Sequence, residues 1–247
     1  MKIKWIGACA LIACVLATAP AYAIRYDLWN DWNTFNPVGP WTYGLFKNSS
    51  NADFYKLSWR QASVESDGVT VQWIDYMNRS LRTLYTDVSR YDGLAYDEVN
   101  PSLGHYGWAR QGQIQVCPGD GLAAPWGVIR WTAPSAGTAT VNIGVYALFN
   151  YGYNTVDAQV QVNRAVVAQA AIKGFDGSPN QSAVNFTGYA TRLVYQNGLT
   201  VNAGDTVDVA VGNQNGSNAW DAPVVAFTVD FAPTNPPPAD TVVPPAP

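Results

Sequence analysis

Histidine and cysteine are scarce in this chain of 247 residues, which contains 1 His and 3 Cys. Cys9 and Cys14 lie in an apolar segment at the N-terminus, so Cys117 is the only cysteine outside that segment. A chain with a single remaining cysteine forms no intramolecular disulfide. We therefore expect a large hydrophobic core to hold the fold together, which a chain of this length can build as a single domain.

The same scarcity argues against most nucleophilic and zinc-dependent chemistry. A Cys-His pair would require His105 and Cys117 to meet, but Pro118 and Gly119 favour a turn there rather than the helix N-terminus that lowers a thiol pKa. No serine lies in a G-x-S-x-G turn, and neither H-x-x-x-H nor C-x-x-C occurs. The sequence thus favours a protein without a serine or cysteine nucleophile and without a zinc site.

Long apolar runs are missing after the N-terminal segment. Two lysines precede an apolar run over residues 5–18, and "AYA" at Ala21 to Ala23 has the small residues of a signal peptidase site. We expect residues 1–23 to be a signal peptide and the mature protein to be secreted or held at the cell surface. The alternative is a lipoprotein acylated at Cys14. No later segment approaches the roughly 20 apolar residues of a membrane-spanning helix, so no transmembrane segment is predicted in the mature chain.

Positive charge is also in short supply. The chain has 14 Lys and Arg against 18 Asp and Glu, a net charge of -4. Cleavage after Ala23 would remove two basic residues and no acidic ones, which leaves 12 against 18 and a net charge of -6. A surface of this sign argues against nucleic acid as a partner.

The dominant pattern in the remaining chain is an alternation of apolar and polar residues with a period of two. Such alternation predicts antiparallel strands with one face on a core and one face in water. The apolar sets of four such stretches are Ala139, Val141, Ile143, Val145, Ala147 and Phe149; Val156, Ala158, Val160 and Val162; Val207, Val209 and Val211; and Val225, Phe227, Val229 and Phe231.

Turn-forming residues separate these stretches. We expect reversals at Asn163 and Arg164 and within "QNGLTVNAGDT", which offers both Asn-Gly and Ala-Gly-Asp turns, and a bend at "APSAG". Residues 87–103 lack a regular pattern and are predicted to be a long loop, and residues 233–247 are a Pro-rich tail. The prediction is an all-β protein, a single antiparallel sandwich over residues 24–232.

The order of five segments resembles a known family. "NPVGPWTYG", "GVIRWTAPSAGTATV", "VDAQVQVNRAVV", "LTVNAGDTVDVAVGN" and a last strand after "NAWDAPVV" look like the secreted jelly-roll domains of bacterial PEP-CTERM-type exported proteins, which are similar to carbohydrate-binding modules. The resemblance implies a jelly-roll sandwich. It also implies a structural Ca²⁺ site at positions corresponding to Asp27 and Asp230, where oxygen ligands suit a hard cation. Two solvated acids are the alternative interpretation.

The composition is rich in aromatics, with 10 Trp and 14 Tyr. Trp41, Trp59, Trp73 and Trp131 lie in rigid or alternating stretches and are expected to pack in the core or against a sheet. Other aromatics lie among turn formers, where they would project at an end of the sandwich and stack on sugar rings, with amides and acids as hydrogen-bond partners. The candidate ligand-binding residues are Trp126, Tyr151, Tyr153 and Trp220 with Asn150, Asn154, Asn218 and Asp221. Alternatively, these aromatics cap the ends of the core.

The sequence therefore predicts a secreted, noncatalytic protein that binds a polysaccharide or a surface glycan, or that serves in the cell-surface matrix. Two alternatives stay open. A small polysaccharide-active hydrolase or lyase would use loop carboxylates such as Asp97 and Glu98, since glycosidases need only a pair of acids. A purely structural subunit would assemble through sheet edges or through the Pro-rich tail.

Overall fold

The computed structural model describes residues 23–32, 35–46, 53–57, 59–63, 69–76, 85–92, 114–118, 125–149, 155–175, 184–185, 188, 190–213 and 223–235. These residues form strands, turns and bends, and none of them is helical. The all-β class predicted from the sequence is confirmed. Among the described residues there is accordingly no helix of the length and hydrophobicity that a membrane span needs.

The strands are, in chain order, β1 (Ile24–Asp27), β2 (Trp41–Phe46), β3 (Phe54–Lys56), β4 (Trp59–Ser63), β5 (Val69–Tyr76), β6 (Tyr85–Asp92), β7 (Ile114–Cys117), β8 (Trp126–Thr132), β9 (Gly137–Tyr146), β10 (Leu148–Phe149), β11 (Val156–Val162), β12 (Ala165–Ile172), β13 (Gly174–Phe175), β14 (Val184–Asn185), β15 (Arg192–Val201), β16 (Thr206–Asn213) and β17 (Val224–Pro233).

The strands form two main sheets. One has eight strands in the order β15-β9-β17-β7-β6-β5-β4, with β1 also paired to β17. The other has six strands in the order β12-β11-β16-β8-β2-β3, and a small third sheet joins β10, β13 and β14. Every strand pairing in these sheets is antiparallel, as the alternation predicts.

The core lies between the two main sheets. Trp41 of the six-stranded sheet meets Phe227 of the eight-stranded sheet edge to face, with ring centroids 4.9 Å apart. Trp131 and Phe231 make a similar contact across the core at 5.9 Å. All four side chains are at most 1% exposed. Facing sheets joined by one continuous apolar layer make the molecule a β-sandwich.

The predicted core faces agree with the structure, except that Val162 is only half-buried and the side chain of Phe149 lies outside what the structure describes. The buried sets are Ala139, Val141, Ile143, Val145 and Ala147; Val156, Ala158 and Val160; Val207, Val209 and Val211; and Val225, Phe227, Val229 and Phe231. Trp41 and Trp131 are also in the core, as expected, whereas the side chains of Trp59 and Trp73 lie outside what the structure describes.

Of the four predicted turns and bends, three are confirmed and one is wrong. Ala203 and Gly204 form the turn within "NAGD", where Gly204 has a φ of 87°, and a bend covers residues 134–136 within "APSAG". Asn163 and Arg164 have φ values of 49° and 71°, which is the backbone of a two-residue type I′ hairpin turn between β11 and β12. The Asn197–Gly198 pair forms no turn and lies in the middle of β15, opposite Val141 and Thr140 of β9. Continuous pairing with β9 outweighs the local turn preference of Asn-Gly, because β15 packs Leu193 and Val201 into the core.

The long loop predicted from residue 87 onward is also partly wrong. Asp87–Asp92 belongs to β6, where it pairs with β5 on one side and, near its start, with β7 on the other. Residues 93–103 lie outside the described part of the chain. The strand escaped prediction because its sequence, "YTDVSRYD", has too few apolar residues to show a core face.

Side-chain hydrogen bonds hold the segment "NPVGPWTYG" in place where it joins the six-stranded sheet. The Asn36 amide accepts from Tyr43 N at 2.9 Å and donates to Tyr43 O and Leu57 O at 2.7 and 2.8 Å. The Trp41 indole donates to Asp31 Oδ2 at 2.8 Å. These contacts fix the start of β2 with Trp41 pointing inward, so the aromatic content of this segment is structural.

Candidate functional site

Four strand ends lie at one end of the sandwich, opposite the end where Trp131 contacts Phe231. In the six-stranded sheet, Val156 at the start of β11 pairs with Asn213 at the end of β16. In the eight-stranded sheet, Tyr146 at the end of β9 pairs with Val224 at the start of β17. We call the end marked by these four residues the loop end, because the chain leaves or enters the described part of the structure close to each of them.

The two aromatic segments singled out in the sequence both connect strands at the loop end. Residues 150–154 precede β11, and residues 214–222 join β16 to β17. The candidate residues themselves lie outside the described residues, so their ligand-binding role stays a prediction. They are Tyr151, Tyr153, Trp220, Asn150, Asn154, Asn218 and Asp221.

Trp126 has a different position from the one expected. It lies at the start of β8, not in a loop, opposite Phe46 of β2 and beside Gly212 of β16. Its indole covers Gly212 and occupies the place that a Cβ there would take. The ring is 6% exposed, so its strand position is a correction of the sequence-based placement, while its role in binding stays a prediction.

A second apolar cluster surrounds Trp126 on the outer face of the six-stranded sheet. It contains Phe46, Trp126, Val128 and Ala210, with Phe54 packed against them. The Phe54 ring covers Gly44 in the way that Trp126 covers Gly212. The sequence did not reveal this cluster, because its members come from four strands and each looks like an isolated apolar residue on a polar face.

An ion pair lies next to this cluster on the same outer face. Arg130 of β8 and Asp208 of β16 are register partners, and the guanidinium binds the carboxylate through two hydrogen bonds of 2.7 and 2.8 Å. The guanidinium carbon lies 3.9 Å from the centre of the Phe54 ring. Asp208 is 0% exposed, so the prediction of a wet outer face is wrong for the central strand β16. Burial raises the pKa of the Asp208 carboxyl, and the Arg130 hydrogen bonds and the charges of Arg130 and Arg164 act in the opposite direction.

Arg130 and Asp208 belong to a row of side chains that runs across neighbouring strands, and polar side chains of β11 extend this row. Gln161 is the register partner of Asp208, is fully buried and donates through Nε2 to Gln159 Oε1 at 3.1 Å. Its own Oε1 has no hydrogen-bond partner in the part of the chain that the structure describes. Burial also raises the pKa of Asp157 on the same face. Because Asp208 is enclosed and paired with Arg130, its carboxylate is suited to structural support and not to general acid catalysis.

The residues of the implied calcium site have other partners. Asp27 Oδ1 accepts the Trp29 backbone N–H at 3.0 Å and so closes the turn after β1. Asp230 Oδ1 lies 3.4 Å from Arg25 Nη1, its register partner on β1. Within the described ranges, no three His, Cys, Asp or Glu residues are grouped as a metal would require. The calcium site at Asp27 and Asp230 therefore stays a prediction from the resemblance.

Comparison with known proteins gives only distant similarities. No protein family and no curated protein matches the chain. A family 35 carbohydrate-binding module from Clostridium thermocellum shares 14% identity, covers 71% of this chain and 99% of its own, and has a TM-score of 0.24. The apo form of a cyclase from Fischerella sp. shares 8% identity over 80% of this chain and 99% of that chain, with a TM-score of 0.31. A family GH115 4-O-methyl-α-glucuronidase with specificity for decorated arabinogalactans shares 10% identity over 57% of this chain and 18% of that chain, with a TM-score of 0.26.

Proposed function

We propose that the chain is a secreted or cell-surface, noncatalytic protein that binds a polysaccharide or surface glycan at the loop end. The observation that supports this most strongly is the strand order. Val156 pairs with Asn213 and Tyr146 pairs with Val224, so both aromatic segments of the sequence are attached to neighbouring strand ends. A site built from both segments requires this arrangement.

The chemistry of the two segments suits a sugar. Tyr151, Tyr153 and Trp220 supply aromatic faces on which the C–H side of a sugar ring can stack. Asn154 and Asp221 supply amide and carboxylate groups for its hydroxyls. A few aromatic side chains with convergent polar groups are the usual composition of a small-molecule or saccharide site.

A structural subunit is the second candidate, and exposed apolar residues on the sheet edges favour it. Val166 and Val167 on the edge strand β12 are 40% and 45% exposed, and Val194 on the edge strand β15 is 60% exposed. Edge strands offer unpaired backbone groups to a second chain. The hydrolase or lyase alternative depends on Asp97 and Glu98, which lie outside the described residues.

A glycan array probed with the chain from residue 24 onward tests the proposal. We expect binding to at least one polysaccharide or surface glycan, loss of that binding after thermal unfolding, and no release of sugar from the bound glycan during incubation. Binding accompanied by turnover would assign the hydrolase or lyase function instead. If the folded chain binds no glycan and forms concentration-dependent oligomers, the structural subunit replaces the proposed function.

A further inference from the structure

The outer face of the eight-stranded sheet carries an aromatic ring close to the loop end. Ile143 and Val145 of β9 point into the core, so Gly144 and Tyr146 point outward. The Tyr146 ring folds back along the strand and occupies the place that a Cβ at Gly144 would take. Tyr146 as a whole is partly exposed, so it is accessible to a ligand on the outer face.

The strand register places an apolar and a polar row next to this ring. Gly144 is paired with Val194 of β15, which is 60% exposed. Asn142 lies between its partners Gln196 of β15 and Thr228 of β17. We call the surface formed by Tyr146, Val194, Asn142, Gln196 and Thr228 the tyrosine face. Its polar side chains are spaced by neighbouring strands, about 4.8 Å apart.

The polar row of the tyrosine face retains its hydrogen-bonding capacity. Within the part of the chain that the structure describes, the side chains of Asn142, Gln196 and Thr228 make no hydrogen bond to the protein. Asn36, in contrast, uses its amide for three internal bonds. Each free amide supplies two donors and one acceptor, and the hydroxyl of Thr228 adds one of each kind. The row can therefore bind the hydroxyl groups of a ligand without breaking a hydrogen bond to any of the described residues.

Charge around the tyrosine face is balanced. Arg25 and Asp230 form an ion pair in the neighbouring row of the sheet. Two further charges of opposite sign lie at opposite corners of the tyrosine face. Arg192 is the register partner of Tyr146, and Asp27 is the register partner of Thr228. A ligand without net charge suits such a surface better than an acidic one.

We propose that the tyrosine face binds a neutral polysaccharide chain that continues from the loop end, an inference that rests on the glycan-binding function proposed above. The Tyr146 ring and Val194 contact the C–H face of a sugar unit, and Asn142, Gln196 and Thr228 bind hydroxyls of the next units. Tyr146 pairs with Val224, which belongs to the loop end, so the two surfaces adjoin. One ring and one valine give too little apolar area for the core of a protein interface.

The test measures binding of Tyr146→Ala, Asn142→Ala and Gln196→Ala to dextran, xyloglucan and mixed-linkage β-glucan, with alginate as the acidic comparison. We expect the wild-type chain to bind at least one neutral polysaccharide and Tyr146→Ala to bind it about tenfold more weakly, as loss of an aromatic anchor does. Tyr146→Phe keeps the ring and should retain most of the affinity. Gln169→Ala, at an exposed position on β12 in the other sheet, is the matched control and should change nothing.

A second variant, which blocks the surface and keeps Tyr146, distinguishes a loss of binding from a loss of folding. No atom lies within 4 Å of a Cβ placed at Gly198, which is two residues from Gln196 on the same face. Gly198→Trp should therefore fold normally and obstruct the polar row, with an affinity loss similar to that of Tyr146→Ala.

Several outcomes would overturn the inference. If Trp220→Ala weakens binding while Tyr146→Ala and Gly198→Trp do not, the loop end binds glycan alone and only this inference fails. If the wild-type chain binds none of the polysaccharides, the proposed function fails with it. A preference for alginate over the neutral chains would contradict the charge argument. A change of oligomeric state in Tyr146→Ala would assign the face to a second copy of the chain.

Discussion

At the scale of single residues, strand glycines make room for aromatic rings. Phe54 covers Gly44, Trp126 covers Gly212, Tyr146 covers Gly144 and Phe231 covers Gly137. A glycine in a strand normally weakens it, because it has no side chain to pack. Here a neighbouring ring supplies the missing contact and protects the backbone from water.

This packing predicts opposite effects for two glycine substitutions. Gly212→Ala places a methyl group inside the Trp126 ring, so the ring has to move, and we expect a cost of about 1 to 3 kcal/mol in the free energy of unfolding. Gly198→Ala meets no atom within 4 Å and should stabilise the protein by roughly 0.4 to 1 kcal/mol through the unfolded state. Urea denaturation of both variants measures the difference, and equal effects would contradict the account.

Tyr26 gives a prediction for alkaline pH. Burial and then the charge of Asp31 raise the pKa of its phenol, and its ring contacts the rings of Trp131 and Phe231. The unfolded phenol titrates near pH 10, so the stability that the neutral phenol contributes is complete below about pH 10 and is lost as pH rises through the higher folded value.

The matched variant is Tyr26→Phe, which keeps the ring and removes the titration. Between about pH 10 and 12, the free energy of unfolding of the wild-type chain should fall more steeply than that of Tyr26→Phe, while the other tyrosines contribute equally to both. Parallel pH dependences would show that the phenol of Tyr26 ionises as easily in the folded state as in the unfolded one.

At the scale of elements, the Arg130–Asp208 pair joins β8 to β16 on the outer face of the six-stranded sheet. The pair is satisfied by two short hydrogen bonds, but both groups had to lose water to form it. Removing one partner leaves a buried charge, so Asp208→Ala should cost about 3 to 5 kcal/mol of stability. Replacing both, as Arg130→Met with Asp208→Leu, should cost much less. A double-mutant cycle measured in guanidinium chloride decides this, and additive losses would rule out the coupling.

The edge strand β12 contains a β-bulge, which affects how easily another strand can pair with this edge. The register between β11 and β12 shifts after Val160, so that Val167 is the extra residue of a bulge. Bulges bend an edge and hinder pairing with a further strand. Within the structural-subunit alternative, Val194 on the edge strand β15 is therefore better placed for sheet-edge assembly than the valines of β12.

Elements with one strictly apolar face could be predicted from the sequence, and elements defined by distant partners could not. β9 and β17 show alternation over their length, and the Asn163–Arg164 turn follows from local backbone preference. Asp208 can be buried because Arg130 pairs with it, and Trp126 can be buried because Gly212 leaves room for its ring. In both cases the partner belongs to a different strand. A polar residue in an alternating strand looks solvent-facing until its partner across the sheet is known.

At the scale of the whole molecule, the sandwich separates a structural aromatic layer from a candidate binding end. Trp41 and Trp131 join the two sheets through Phe227 and Phe231. The loop end lies where β9, β11, β16 and β17 begin or end. The sequence identified the aromatic segments, whereas their attachment to neighbouring strands required the strand order.

The measurement that tests the glycan-binding account most directly compares Trp220→Ala with Trp41→Ala in both thermal melting and affinity for the polysaccharide found on the array. Trp41→Ala should cost roughly 3 to 5 kcal/mol of stability, because it opens a cavity in the core. Trp220→Ala should weaken binding by about 1 to 3 kcal/mol and leave the melting temperature nearly unchanged. If Trp220→Ala instead unfolds the protein, or melts normally and binds as tightly as the wild-type chain, the loop end is not a glycan site.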